Sequence, residues 1–254
     1  MQRLIALSTA AFTLLLGSCG PLAGVGGPTD RFIIEPVGDD IGSRGGQTFG
    51  GADENADVPD MLERRLEAFG LVVHNISVGQ NGRVTVETSG DRAEEIMAEA
   101  IYSPGKLRLA LVDMSADPFG ISTGVTPPGA AIMPMADGSY SMAVRRLGGI
   151  DGAFVSYAAQ TYDDQTGEPA IAIEFTQEGA TRLARMTSAN VGQQMAVVVD
   201  DEVLSAATIY EPVTGGRLQL AGGYSLEDAQ RIAAIINSGA LPVRYRVAGR
   251  TALN

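Results

Sequence analysis

A strand, a helix with one apolar face, two strands, a second one-faced helix and a further strand follow one another over residues 31–111. That order restricts the chain to a small set of α+β architectures. Arg31-Phe32-Ile33-Ile34-Glu35 reads as the first strand. Pro59 opens a helix whose Leu62, Leu66 and Phe69 recur at helical spacing, and Gly70 closes it. Leu71 to Val78 is β-prone, Asn81-Gly82 marks a turn, and Val84 and Val86 alternate with Thr85 and Glu87. A second helix begins near Asp91 and Glu94, with Ala93, Ile96, Met97, Ala100 and Ile101 on one side. Leu107, Leu109 and Leu111 then alternate as a strand. The series βαββαβ is the split arrangement of a ferredoxin-like unit.

Residues 114–139 break the pattern. Asp117-Pro118, Pro127-Pro128 and Pro134, among several glycines, predict an irregular linker. Tyr140 to Val144 and Ala153 to Gln160 read as strands around a glycine-rich turn at 148–152. Ile171, Ile173 and Phe175 alternate, and Thr176 caps a helix bearing Ala180, Leu183, Ala184 and Thr187. Met195 to Val199 is an apolar run that turns at Asp200-Asp201 and returns over Val203 to Ile209, and Leu218 and Leu220 mark a short strand. Ser225 and Asp228 form a capping-box pair ahead of Leu226, Ala229, Ile232, Ala233 and Ile236. Gly239 and Pro242 stop that helix, and Val243, Tyr245 and Val247 alternate beyond it. The expected fold class is α+β with antiparallel sheets, as two ferredoxin-like units in sequence.

The N-terminus reads as an address. Met1-Gln2-Arg3 precedes an apolar or small stretch from Leu4 to Leu16, shorter than the ~20 residues a bilayer core requires, so a cleaved secretory signal is expected over 1–18. The stretch ends in Leu16-Gly17-Ser18-Cys19, which resembles the lipobox of bacterial lipoproteins, in which the Cys thiol takes a diacylglycerol. Cys19 is the only cysteine and the expected lipid attachment site. Gly20 after it supplies no Asp for inner-membrane retention, which favours the outer membrane. Residues 19–30 read as a flexible tether. The six Gly and five acidic residues of 38–57 predict a mobile loop inside a first domain spanning 31–113, with the second domain at 140–254.

Composition closes off several functions. Eighteen basic against thirty acidic side chains give a formal charge of −12, which repels nucleic acid and anionic membrane surfaces. One Cys and one His leave no disulfide, no Cys-rich zinc site and no His pair. His74 sits in a β-prone segment and reads as structural. Asp163-Asp164-Gln165-Thr166-Gly167 fails as a calcium loop, since its register puts Tyr162 first and Ile173 twelfth, where carboxylates are needed. The glycine clusters lack phosphate-loop spacing, and no Gly-x-Ser-x-Gly elbow occurs. No catalytic residue, metal or cofactor is expected.

A run of segments carries a resemblance. They are Glu168-Pro169-Ala170-Ile171-Ala172-Ile173-Glu174-Phe175-Thr176-Gln177-Glu178-Gly179-Ala180, then Met186-Thr187 and Asn190-Val191-Gly192-Gln193-Gln194-Met195-Ala196-Val197-Val198-Val199-Asp200. Ala221-Gly222-Gly223-Tyr224-Ser225-Leu226-Glu227-Asp228-Ala229 and Ser238-Gly239-Ala240-Leu241-Pro242 complete the series. In this order they resemble the periplasmic P1 region of SecD, a membrane subunit of the bacterial Sec preprotein translocase. Glu63-Arg64-Arg65-Leu66-Glu67-Ala68-Phe69-Gly70 is similar to the first helix of its base. The resemblance implies a ferredoxin-like base with a head inserted after it and a last strand, near 242–248, rejoining the base. Patterning alone leaves that strand with either sheet. SecD continues into membrane helices that house a proton-driven cycle, whereas this sequence ends at Asn254 and offers a lipobox in place of the first membrane helix. The implied role is a lipid-anchored periplasmic module that binds unfolded or translocating polypeptide, and Sec components, by β-addition at strand edges or in an apolar groove between its halves, without catalysis. An envelope adaptor using the same fold is the alternative.

Overall fold

The computed structural model describes residues 26–37, 58–79 and 82–253. The signal segment, Cys19, most of the tether, the 38–57 loop and Asn81 lie outside those residues. The first half comprises β1 (Asp30–Pro36), α1 (Val58–Ala68), β2 (Val72–Val78), β3 (Val84–Ser89) and α2 (Ala93–Tyr102). Phe32, Ile34, Val84 and Val86 point to one face of the sheet and are buried beneath Leu62 and Leu66 of α1 and Met97 and Ile101 of α2. The other face is solvated and laced by cross-strand ion pairs, Arg31 with Glu87 at 2.7 Å and Arg83 with Glu35 at 3.2 Å. Gly70, at φ +92°, ends α1 where only glycine turns without strain. Thr29 and Asp30 are pinned rather than loose: Thr29 N–H donates to Thr88 O, and Asp30 begins β1 with its carboxylate 2.8 Å from Arg250.

The fourth strand of this sheet is not the one expected from chain order. Leu107–Leu111 (β4) leaves for a second sheet, and β13 (Tyr245–Ala252) takes the vacant edge, giving the order β13-β1-β3-β2. The reason lies in burial. Leu107, Leu109 and Leu111 pack into one core while Ala110, with Val112 just beyond the strand, packs into another, so β4 needs cover on both faces. The first sheet covers only one. β13 suits that edge, because Tyr245 is buried and Val247 half-buried while Arg246, Arg250 and Thr251 reach solvent. The alternation over 243–247, which patterning leaves with either sheet, is thereby paired to β1, and the two-units-in-sequence ordering does not occur.

The second sheet has the order β11-β10-β4-β7, built from β7 (Ile150–Asp151), β10 (Gln194–Val199) and β11 (Glu202–Thr208). Asp200 and Asp201 both adopt positive φ, as a two-residue type I′ hairpin turn requires. A third sheet, β12-β9-β8, comprises β8 (Val155–Tyr162), β9 (Pro169–Phe175) and β12 (Arg217–Ala221). Between these sheets lie α4 (Gln177–Ala189), capped by Thr176 on the Gly179 N–H, and α5 (Leu226–Ser238), with a complete Ser225/Asp228 capping box. The stretch at 114–139 is less irregular than its prolines predict. Asp117 caps the short helix α3 (Pro118–Ser122), and β5 (Ala130–Pro134) pairs with β6 (Ser141–Arg145). Met133 and Met142 of this hairpin bury against Ala110, Ala196 and Val198, sealing the second face of the β4–β10 sheet, so tertiary packing overrides the local turn signal.

Ending the chain at Arg244 would remove β13 and leave β1 with β3 alone. Hydrogen exchange should then show β1 amides losing most of their protection while those of β10 keep theirs.

Candidate functional site

Among the described residues, the chemistry-bearing side chains stand apart from one another. His74 places its ring Nε2 2.8 Å from Ser89 Oγ, bridging β2 and β3. Asp163 accepts the Thr166 N–H at 2.8 Å and the Gln165 N–H at 2.9 Å; these bonds hold its carboxyl below the usual range and close the loop on itself. Among the described residues, no group of three or more His, Cys, Asp or Glu is placed to hold a metal ion. Cys19 lies outside the described residues.

Two concavities carry charged side chains among apolar walls. One is a cleft of about 200 Å³ between the halves, where α1, α2 and α5 meet and charged side chains gather. Arg231 stands 2.9 Å from Glu99 and 2.5 Å from Glu227, leaving Phe69 and Ile96 as its larger apolar walls. The ends of three amphipathic helices meet there on their solvated sides, which is why charge gathers. A wider depression of about 530 Å³ at the start of α2 is likewise occupied by paired arginines, Arg92 with Glu95 and Arg250 with Glu94.

Strand edges offer the alternative surface, and three of them are guarded. β13 carries Arg246 and Arg250, and its register with β1 shifts beside Gly249. β11 is overlaid at Val203, whose carbonyl takes the Ala136 N–H at 2.9 Å from the β5–β6 hairpin. β8 is blocked by a side chain: the Asn237 amide accepts the Ala158 N–H at 2.7 Å and donates to the Ala158 carbonyl at 2.6 Å, as a neighbouring strand would. β2 differs. Val72-Val73-His74-Asn75-Ile76-Ser77-Val78 contains no formally charged residue and no proline, pairs among the described residues only with β3, and leaves Val72 and Val78 about half exposed. Its register shifts at His74, but Asn75 to Val78 run regularly beyond. A second exposed apolar set, Met114, Phe119 and Val125, brackets α3, with Phe119 74% exposed.

Between the halves sits the largest fully buried polar side chain, Arg65 of α1. It lies on the apolar stripe with Leu62, Leu66 and Phe69, and this placement is the only signal in the sequence that it points inward. Its partners are a hydroxyl and four carbonyls: Ser238 Oγ at 2.8 Å, Ala100 O at 3.2 Å, Ser103 O at 2.5 Å, Pro104 O at 3.0 Å and Gly239 O at 2.7 Å. Every N–H of the guanidinium is thus used. Burial pulls its pKa down to about 10, against the opposing pull of the Asp200 carboxylate, so at neutral pH it is a buried cation. Neither Arg65 nor Asn237 stands out as a functional residue from the sequence.

With this geometry in view, residues 130–243 match the family described as the SecDF P1 head subdomain. The SecD translocase subunit of Acetobacter pasteurianus is 30% identical over 190 residues, covering 74% of this chain and 36% of that protein. That of Leptotrichia buccalis is 28% identical over 196 residues, covering 77% and 42%. A solved structure of SecDF, a membrane component that enhances protein export, shares the fold at a TM-score of 0.63 and 23% identity, over 88% of this chain and 100% of that one. The chain carries a SecD P1-like region. It spans about two fifths of the length of these curated relatives. The head match starts at the first residue of β5 and stops at Val243, just before the chain returns to β1 as β13.

Asn237→Ala should cost about 1–3 kcal/mol, roughly the net worth of two hydrogen bonds to buried backbone. Urea denaturation would measure it, with the slope unchanged if the native state keeps its compactness.

Proposed function

We propose that this protein is a lipid-anchored periplasmic module of protein export, holding an extended stretch of translocating polypeptide beside β2 without proton coupling or catalysis. The observation that carries the reading is a SecD P1-like fold over 88% of the chain together with an edge strand of uncharged sequence that, among the described residues, no side chain caps. An extended segment added there gains main-chain hydrogen bonds independent of its sequence, which suits a partner whose sequence varies. The solvated ion-pair face of the same sheet keeps the edge the attractive feature rather than the flat surface. Sec translocase components are the further partners this reading calls for. A lipid on Cys19 would supply the membrane attachment, since no described helix is long and apolar enough to cross a bilayer.

Two measurements test it. A photocrosslinking amino acid at Ser77 on β2 should capture a pulse-labelled exported protein during translocation, whereas the same probe at Arg246 on β13 should not. Equal yields at both edges, or none at Ser77, would discard the β2 assignment. Cys19→Ala should abolish incorporation of a fatty-acid analogue and leave unprocessed precursor. Full labelling of that variant would remove the anchor. Unchanged export kinetics after deletion, with altered envelope integrity, would favour the adaptor reading.

A further inference from the structure

We propose that the open β2 edge selects extended segments carrying Lys or Arg at alternate positions, through Glu63 and Glu67 on the flank of α1 above it. The proposal rests on the reading of β2 as a polypeptide-binding edge and adds a preference to it. Main-chain pairing is indifferent to sequence, so any selection must come from side chains beside the edge. The Gly79 N–H donates to Arg83 O at 2.7 Å, and alternation along the ladder then commits Ser77 and Asn75 to β3. Ile76 and Val78 are left to direct their N–H and C=O groups outward. Their side chains lie on the helix side of the sheet, opposite the buried Val86 and Val84. Alternate side chains of an added strand would therefore stand beside Ile76 and the half-exposed Val78, on the side that α1 covers.

The charge above that side is of one sign. Leu62 and Leu66 press α1 onto the sheet, while Arg65 reaches α2 at Ala100 O and α5 at Ser238 Oγ, and Arg64 reaches Ser238 O at 3.4 Å. α1 packs over β2 and α2 over β13, so the flank of α1 away from α2 and α5 follows the β2 edge. At about 100° per residue, Glu63 and Glu67 fall on that flank. Both are exposed, and among the described residues neither stands in an ion pair. Arg83, at the β2–β3 turn, is held by Glu35 on the other face of the sheet. Glu63 and Glu67 are one turn apart, about 6 Å along the axis, close to the ~6.7 Å between alternate residues of a strand. Two cations at positions i and i+2 would thus meet one carboxylate each, their aliphatic stems lying over Ile76 and Val78. A second copy is the wrong occupant. Pairing β2 with its own image about a two-fold axis would set Glu63 and Glu67 against the same carboxylates of that copy, like charge facing like.

The test uses the full chain in an uncharged detergent, with a photocrosslinking amino acid at Ser77. The probe is a fluorescent nine-residue peptide of threonine and valine bearing two lysines two positions apart. Anisotropy should show that peptide binding, and light should join it to position 77. Glu63→Gln together with Glu67→Gln should weaken binding about three- to tenfold, as the loss of two exposed ion pairs would. Glu202→Gln with Glu211→Gln removes the same charge from exposed sites in the second half and should change nothing. Moving the lysines to adjacent positions puts one on each face of the strand and should weaken binding about twofold or more at unchanged composition. Undiminished binding by the Glu63/Glu67 variant, with the crosslink intact, overturns the charge preference and leaves β2 an unselective edge. An equal loss in both double variants means general attraction to an acidic protein and overturns it too. If no peptide crosslinks at Ser77, the β2 reading itself fails and the preference falls with it.

Discussion

The pairing of β13 with β1 imposes a constraint from which much of the architecture follows. A sheet whose edge strand comes from the far end of the chain is closed only after everything between has folded outward and returned. The chain must therefore cross the boundary between its halves twice, and each crossing is irregular backbone passing through the interior. Such backbone carries carbonyls that neither helix nor sheet can satisfy, including those at the C-terminal ends of α2 and α5. Arg65 answers that deficit with five donors from one planar group. A lysine would bring three donors on a flexible stem and would leave carbonyls unpaired. The buried cation is in this sense a consequence of the topology.

Much of the secondary structure was legible because it is written in period and in capping chemistry. Thr176 and Ser225 with Asp228 mark helix starts by a local mechanism that tertiary structure does not disturb. Asp200-Asp201 was readable as a turn because two residues tolerant of positive φ stand between apolar runs. Sheet membership was not legible. The pattern of Leu107, Leu109 and Leu111 fits either sheet, and what decides is whether the intervening Ala110 also needs cover, a question about the partner sheet. The β5 strand was hidden for a related reason. Pro134 and Gly129 at its ends read as breakers, while the force that extends it is burial of Met133 against a face formed by strands that follow much later in the chain.

The surface features were legible only in part. That β2 lacks charge is plain from its seven residues, but that it lies at an edge depends on β13 filling the opposite side of the sheet. Asn237 shows the converse. Asparagine near a helix end is commonplace, and its role as a substitute strand beside Ala158 appears only once β8 and α5 are in contact. Cys19 is a reading of sequence context alone.

The backbone crossings and the open edge bear on one another. A strand that captures extended chain by backbone pairing makes its contacts along a line several residues long, and the force on such a line is transmitted to the sheet as a whole. Arg65 and Asp200, one from each half, are bonded to the same crossing, where the first sheet meets the second half. The cleft between α2 and α5 can be charged because the halves already share backbone hydrogen bonds at the crossings, where the Leu241 N–H donates to Pro104 O at 2.8 Å, and the helix surfaces there need no apolar seam.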